Sequence, residues 1–234
     1  MTLANWRMNP FNRWGFQHVR EIVPSADIPN DPDDLWRLAP VNADLTELTL
    51  DDGEGGQIGL DGFLTRTQTD AFVLVHCGRV LCERYMNGMT PATPHILMSV
   101  SKSMLGLLAG ILATHGVLDV DAPVELYVPE LRGCAFEGAV VHQLLDMRVG
   151  LAFEEDYLAT SGPIVQYRKA TNWNPLEPGE TATDLRAFLP TLTTTSGPHG
   201  GAFNYVSPCT TCSVGSSNVR LGGVSPIFSR NSCG

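Results

Sequence analysis

The sequence contains two lysines and thirteen serines, and one lysine, Lys102, follows a serine, Ser99, by three positions. Random placement produces such a pair about once in nine chains of this composition. On a helix, an i, i+3 spacing brings both side chains to one face, whereas the intervening Ser101 points away. A hydroxyl beside an amine is the chemistry of an activated nucleophile. A buried lysine has its charged form disfavoured and can accept the hydroxyl proton. A helix starting here favours negative charge developing near Ser99. The plain alternative is a serine N-cap followed by a solvated lysine. Tyr205, in "GGAFNYVSP", is the second candidate. A tyrosine between apolar residues is ordinarily a packing group. With Lys102 nearby, its hydroxyl becomes a second proton carrier and general base.

These groups need elements to hold them. The run "SVSKSMLGLLAGILATH" (99–115) predicts a helix ended by Gly116. It is apolar nearly all round beyond Lys102, so it is expected to be buried. Two strand-like runs in "AFVLVHCGRVLCERY" (71–85) predict a hairpin around Cys77-Gly78-Arg79. "VVHQLLDM" (140–147) and "TATDLRAFLPTL" (181–192) predict shorter helices, the second capped by Thr183 or Asp184. Residues 152–180 read as loop-rich and aromatic, with Tyr157, Tyr167 and Trp173. Residues 1–45 read as an extended arm laid on a body. No internal repeat and no interdomain linker is evident.

Bulk properties narrow the function. A chain of 234 residues with 43% hydrophobic content can build a core. A formal charge of −10 argues against nucleic acid or an anionic membrane as partner. The longest apolar run, "MLGLLAGILA" at 104–113, is far short of the roughly 20 residues a span needs. The N-terminus lacks the basic and apolar regions of a signal peptide, so a cytoplasmic location and free thiols are expected. There is no G-x-S-x-G elbow, P-loop, G-x-G-x-x-G or H-E-x-x-H. His199, beside Gly200-Gly201, reads as a loop residue rather than a triad member.

The Ser99–Lys102 pair and Tyr205 together resemble the serine β-lactamase and penicillin-recognising family, in its class C and carboxylesterase-like branch, which includes the 6-aminohexanoate-dimer hydrolases. The stretches that carry the resemblance are "LMSVSKSMLGLLAGIL", "GVLDVDAPVELYVPEL", "VVHQLLDMRVGLAFEEDY" and "HGGAFNYVSP", in family order. The resemblance implies an α+β, β-lactamase/transpeptidase-like fold: a mostly antiparallel sheet with a helical region. It implies Ser99 as the acylated nucleophile, Lys102 and Tyr205 as its proton relay, and Tyr157 and Trp173 as substrate-side aromatics. The implied substrate is a small-molecule ester or amide, with no metal or cofactor. The lactamase pattern Tyr-x-Asn is not met, because position 207 is serine. That departure favours an esterase or amidase over a β-lactamase.

The last residues break the pattern. Residues 209–234 contain no Asp or Glu, and half of them are Ser, Gly or Cys. Cys209 and Cys212 form a C-x-x-C pair, but a zinc site needs two more ligands and only Cys233 follows. A redox reading needs a βαβ context that is absent. Back-translating 210–220 with GC-rich codons, and inserting one base after the Thr210 codon, yields an amphipathic helical pattern instead. Residues 1–208 are therefore expected to be the N-terminal part of a hydrolase domain. Residues 209–234 are expected to be an out-of-frame tail after a single-base deletion near Thr211. The resemblance places further strands after this point, one of them supplying an oxyanion donor, so the chain as written is expected to be inactive. The competing readings are a non-catalytic fragment and a small Cys-based metal-binding protein.

Overall fold

The computed structural model describes residues 1–41 and 43–210. They fall into two units: Asn5–Ile96, and Met1–Ala4 together with the chain from Leu97 onward.

The Asn5–Ile96 unit holds the strands: β1 (Ala39–Pro40), β2 (Thr49–Asp51), β3 (Gln57–Gly59), β4 (Ala71–His76) and β5 (Arg79–Tyr85). The chain reverses between β4 and β5 at Cys77 and Gly78, with φ of 48° and 71°. Left-handed backbone at both positions is what a two-residue turn matched to strand twist requires. The hairpin expected from the sequence is formed, with a register shift at Leu74/Val75. β1 adds to β5 in parallel, giving the order β1-β5-β4, while β2 and β3 pair antiparallel. Helix α1 (Asn12–Gly15) precedes the strands and α2 (Leu60–Arg66) follows β3. Leu60 and Leu64 lie four apart on one face of α2 and join Cys82, Phe72 and Leu74 in a small core. The segment expected as an extended arm lacks helix and strand over 24–38. Before that, Trp6 is fully buried and meets the Phe16 ring edge-on at 6.1 Å.

The unit from Leu97 onward is built on helices: α3 (Ser101–Thr114), α4 (Val141–Leu145), α5 (Pro163–Ala170) and α6 (Leu185–Phe188). Val124, Tyr127, Leu131, Phe136, Leu144, Leu151, Phe188 and Val206 make its core. α4 and α6 fall inside their expected ranges, and the Ala187 N–H donates to Asp184 Oδ1 at 2.8 Å, the expected cap. α5 was not foreseen. Its start, Gly162-Pro163, reads as a turn, yet proline at the first helical position is also a good start signal.

α3 ends as expected, at Gly116 with φ 66°, but it is not buried. Ala109 and Leu112 reach the core, while Met104, Leu107 and Ile111 are 60%, 65% and 50% exposed. A helix apolar all round needs cover on every side, and the described residues cover one. Among the described residues, no helix is long and apolar enough to cross a membrane. Cys212 and the reading-frame change expected near Thr211 lie outside the described residues.

Candidate active site

Ser99 stands in a 3-10 turn, Met98–Val100, that feeds α3. Met98 before it has φ 47°. Left-handed backbone at a non-glycine residue costs on the order of 1–3 kcal/mol and is characteristic of functional sites. Ser101 Oγ donates to the Met98 carbonyl at 2.6 Å. That hydroxyl is therefore turned to the backbone.

Lys102 Nζ donates to Ser99 Oγ at 2.9 Å. The Tyr205 hydroxyl reaches the same oxygen at 2.6 Å from 106 positions away in sequence. Lys102 Nζ also lies 5.3 Å from the centre of the Tyr205 ring. The Ser99 oxygen therefore sits between an amine and a phenol. Lys102 is half-buried rather than enclosed, because the α3 face around it is largely open.

Tyr205 owes its place to a ladder of contacts between the stretches 147–152 and 194–204. Ala152 N–H donates to Thr194 O (3.0 Å), Ser196 N–H to Gly150 O (3.0 Å), and Asn204 N–H to Met147 O (2.8 Å). The Arg148 guanidinium donates through Nε to Gly201 O at 2.8 Å and through Nη2 to Gly200 O. At Gly150 the two stretches come so close that an added Cβ would lie 1.9 Å from the Gly197 carbonyl oxygen. His199 is a loop anchor, as expected. Its Nδ1 accepts from Gly150 N–H at 3.2 Å and its Nε2 meets Glu137 O at 3.0 Å.

Tyr157 is exposed and donates to Glu155 Oε1 at 3.3 Å. Partial burial, then the charges of Glu155 and Tyr205, raise its phenol above the ordinary value. Tyr157 therefore stands within electrostatic reach of Tyr205. Its loop is held by Arg168 of α5, a buried guanidinium that donates to Asp156 O (2.9 Å) and Ala159 O (3.2 Å). Trp173 is placed differently: its backbone N–H donates to Arg168 O at 2.8 Å, which ties it to the end of α5. The following loop is closed by Lys169 and Glu180 at 2.6 Å.

Sequence reasoning missed Glu155. Its Oε2 accepts from Ser207 N–H at 2.6 Å and its Oε1 from Ser207 Oγ–H at 2.7 Å. The available signal was the acidic run Glu154-Glu155-Asp156 directly before Tyr157. Cys209 is fully buried. Burial, then the charge of Glu155, pushes its thiol up to about 12, so it does not offer the thiolate that a metal or redox site uses. Among the described residues no group of three or more His, Cys, Asp or Glu is placed to hold a metal. A cavity of about 480 Å³ lies in the Asn5–Ile96 unit, lined by Arg13, Asp70 and His95 among others, and none of the residues above borders it. The Asp70 carboxylate there is already bound by His95 (3.2 Å) and Asn87 Nδ2 (3.0 Å).

The chain is 34% identical over 206 residues to the 6-aminohexanoate-dimer hydrolase of Paenarthrobacter ureafaciens, covering 88% of this chain and 50% of that protein. The chain thus spans about half the length of this curated relative. The solved structure of a candidate 6-aminohexanoate-dimer hydrolase from Bacillus anthracis superposes with a TM-score of 0.85 at 27% identity, covering 94% of this chain and 58% of that one. The family described as Beta-lactamase matches residues 60–205, from the start of α2 to Tyr205 itself. That span takes in Ser99, Lys102 and Tyr205, and the chain belongs to the beta-lactamase family, with its β-lactamase/transpeptidase-like fold.

Proposed function

We propose that Ser99 is the nucleophile of a serine hydrolase that cleaves an ester or amide through an acyl-enzyme. The observation that carries this reading is Ser99 Oγ held by Lys102 Nζ at 2.9 Å and by the Tyr205 hydroxyl at 2.6 Å. Ser99 passes its proton to the unprotonated member of the pair, and Oγ attacks the substrate carbonyl carbon. The resulting oxyanion takes one donor from the Ser99 backbone N–H, where the α3 dipole favours negative charge. The relay returns the proton to the leaving alcohol or amine. Water then enters, gives a proton to the relay, and releases the acid and Ser99. The names of the relatives support a linear amide of the 6-aminohexanoate type or a related ester, with exposed Tyr157 and the loop residue Trp173 as its aromatic contacts.

A fluorophosphonate or activated-ester probe tests the assignment. Labelling is expected at Ser99, is abolished by Ser99→Ala and survives Ser101→Ala; labelling that persists in Ser99→Ala overturns it. The exposed apolar face of α3 favours a second reading, a fragment without turnover. Expressing this chain beside a frame-restored, extended form separates the two. We expect Ser99-dependent activity from the extended form only, and cooperative melting with turnover from the 234-residue chain contradicts that expectation.

A further inference from the structure

We propose that Glu155 is the positioning residue of this site: one carboxylate tethers the Tyr205 segment and Tyr157 together, and so sets where the Tyr205 hydroxyl meets Ser99. The proposal rests on the reading of Ser99, Lys102 and Tyr205 given above.

Tyr205 lies in a stretch, 203–206, with neither helix nor strand, and the ladder from 147–152 ends just before it, at Asn204. Proton transfer tolerates little error in such a contact; a misplacement of about 1 Å costs on the order of 10²-fold. Ahead of Tyr205, the tie is Asn204 N–H on Met147 O at 2.8 Å. Behind it, the long-range tie is Ser207, whose N–H and hydroxyl both donate to Glu155, at 2.6 and 2.7 Å, across 52 positions of sequence. Paired bonds to a carboxylate are roughly twice as strong as neutral ones and fix orientation as well as distance. Ser207 is itself buried, so this clamp is shielded from competing water.

The same Oε1 also accepts from the Tyr157 hydroxyl at 3.3 Å. Glu155 is thus the group that Ser207, two residues after Tyr205, shares with Tyr157. Its charge is felt on both sides, raising the Tyr157 phenol and the Cys209 thiol beyond what burial does. The arrangement also explains serine at position 207. Its hydroxyl serves the scaffold through Glu155 rather than the substrate. Glutamine at 155 keeps one acceptor oxygen but turns an NH₂ toward the second Ser207 donor, so the clamp loses one of its two bonds.

The test uses the chain carrying ¹³Cζ-tyrosine, which has five tyrosines, with Tyr205 identified by its loss in Tyr205→Phe and Tyr127 by its loss in Tyr127→Phe. In Glu155→Gln the Tyr205 signal is expected to move to the position it takes in Ser99→Ala, while Tyr127 in the core keeps its own. Iodoacetamide is expected to alkylate Cys209 about tenfold faster or more as the segment opens, with Cys82 unchanged. Ser207→Ala, which removes one bond and leaves the carboxylate, is expected to shift both readouts in the same direction by less. Neither readout requires turnover, so both decide the tether even if no probe labels Ser99 and the hydrolase reading falls. Where Ser99 does label, Glu155→Gln is expected to slow labelling about tenfold, but less than about twofold in a Tyr205→Phe background. An unmoved Tyr205 signal with unchanged Cys209 alkylation in both variants overturns the proposal. So does a Tyr127 signal that moves with Tyr205, because Glu155 then serves the fold as a whole.

Discussion

Ser99 Oγ is the point where the Lys102 amine and the Tyr205 phenol converge, and under the proposed mechanism the two should not behave independently. In the extended form, Lys102→Ala and Tyr205→Phe are each expected to lower kcat by about 10²-fold or more. Because they act on one proton, the double variant should cost far less than the product of the single losses. Near-full turnover in Tyr205→Phe, measured on an activated ester, would reduce Tyr205 to a packing residue. The residue scale is also where sequence reading reached furthest. Ser99 and Lys102 are three apart, so their meeting follows from helical periodicity alone. Tyr205 is a weaker reading, a candidate beside the Ser99–Lys102 pair whose own stretch suggests only packing, since a contact across 106 positions leaves no local trace. Glu155 was passed over for the same reason: its partner, Ser207, is 52 positions away. The strain at Met98 leaves no trace in the sequence either, because methionine carries no preference for φ of 47°.

At the scale of elements, the stretches 147–152 and 194–204 form the cradle of Tyr205, and Gly150 is where they touch. A Cβ there would fall 1.9 Å from Gly197 O, a backbone atom that cannot swing aside. Gly150→Ala is expected to destabilise by about 1–3 kcal/mol and to slow Ser99 labelling in the form that labels, read by thermal melting and probe kinetics. A second element, the loop carrying Trp173, is closed by Lys169 and Glu180. The bond from Lys169 and the Glu177 backbone N–H hold the Glu180 carboxyl below its ordinary value. With the folded value depressed, this contribution is fully present above the unfolded carboxylate value of about 4.3 and is lost as pH falls through the lower folded value. Trp173 fluorescence should therefore report loop loosening in acid, and Glu180→Gln should show the loosened signal at neutral pH. An acid transition unchanged in Glu180→Gln would place its origin elsewhere. The hairpin at Cys77-Gly78, α4 and α6 were legible because turn chemistry and capping are local. α5 was not, since Gly-Pro serves a turn and a helix start equally well. The burial of α3 was misjudged, because an apolar helix announces what it needs and not what it receives.

At the scale of the whole chain, the open face of α3 is an apolar surface among the described residues. Leu97, Val100, Met104, Leu107 and Ile111 are all exposed, at helical spacing, and such a stripe favours association. The chain is expected to bind an apolar fluorescent dye and to scatter light as concentration rises. Met104→Gln with Leu107→Gln should reduce both while moving stability by no more than about 0.5 kcal/mol, as exposed positions do. Dye binding unchanged by the pair would locate the sticky surface elsewhere. The long reach from Ser99 to Tyr205 also has a meaning in time. During synthesis at roughly 5–20 residues per second, the 106 positions between them take about 5–20 s to appear. Helix–coil exchange at α3 takes on the order of a microsecond, so Ser99 and Lys102 sample their pairing throughout that interval. The nascent chain thus holds Ser99 near Lys102 for seconds, and the three-residue cluster closes only when Tyr205 arrives.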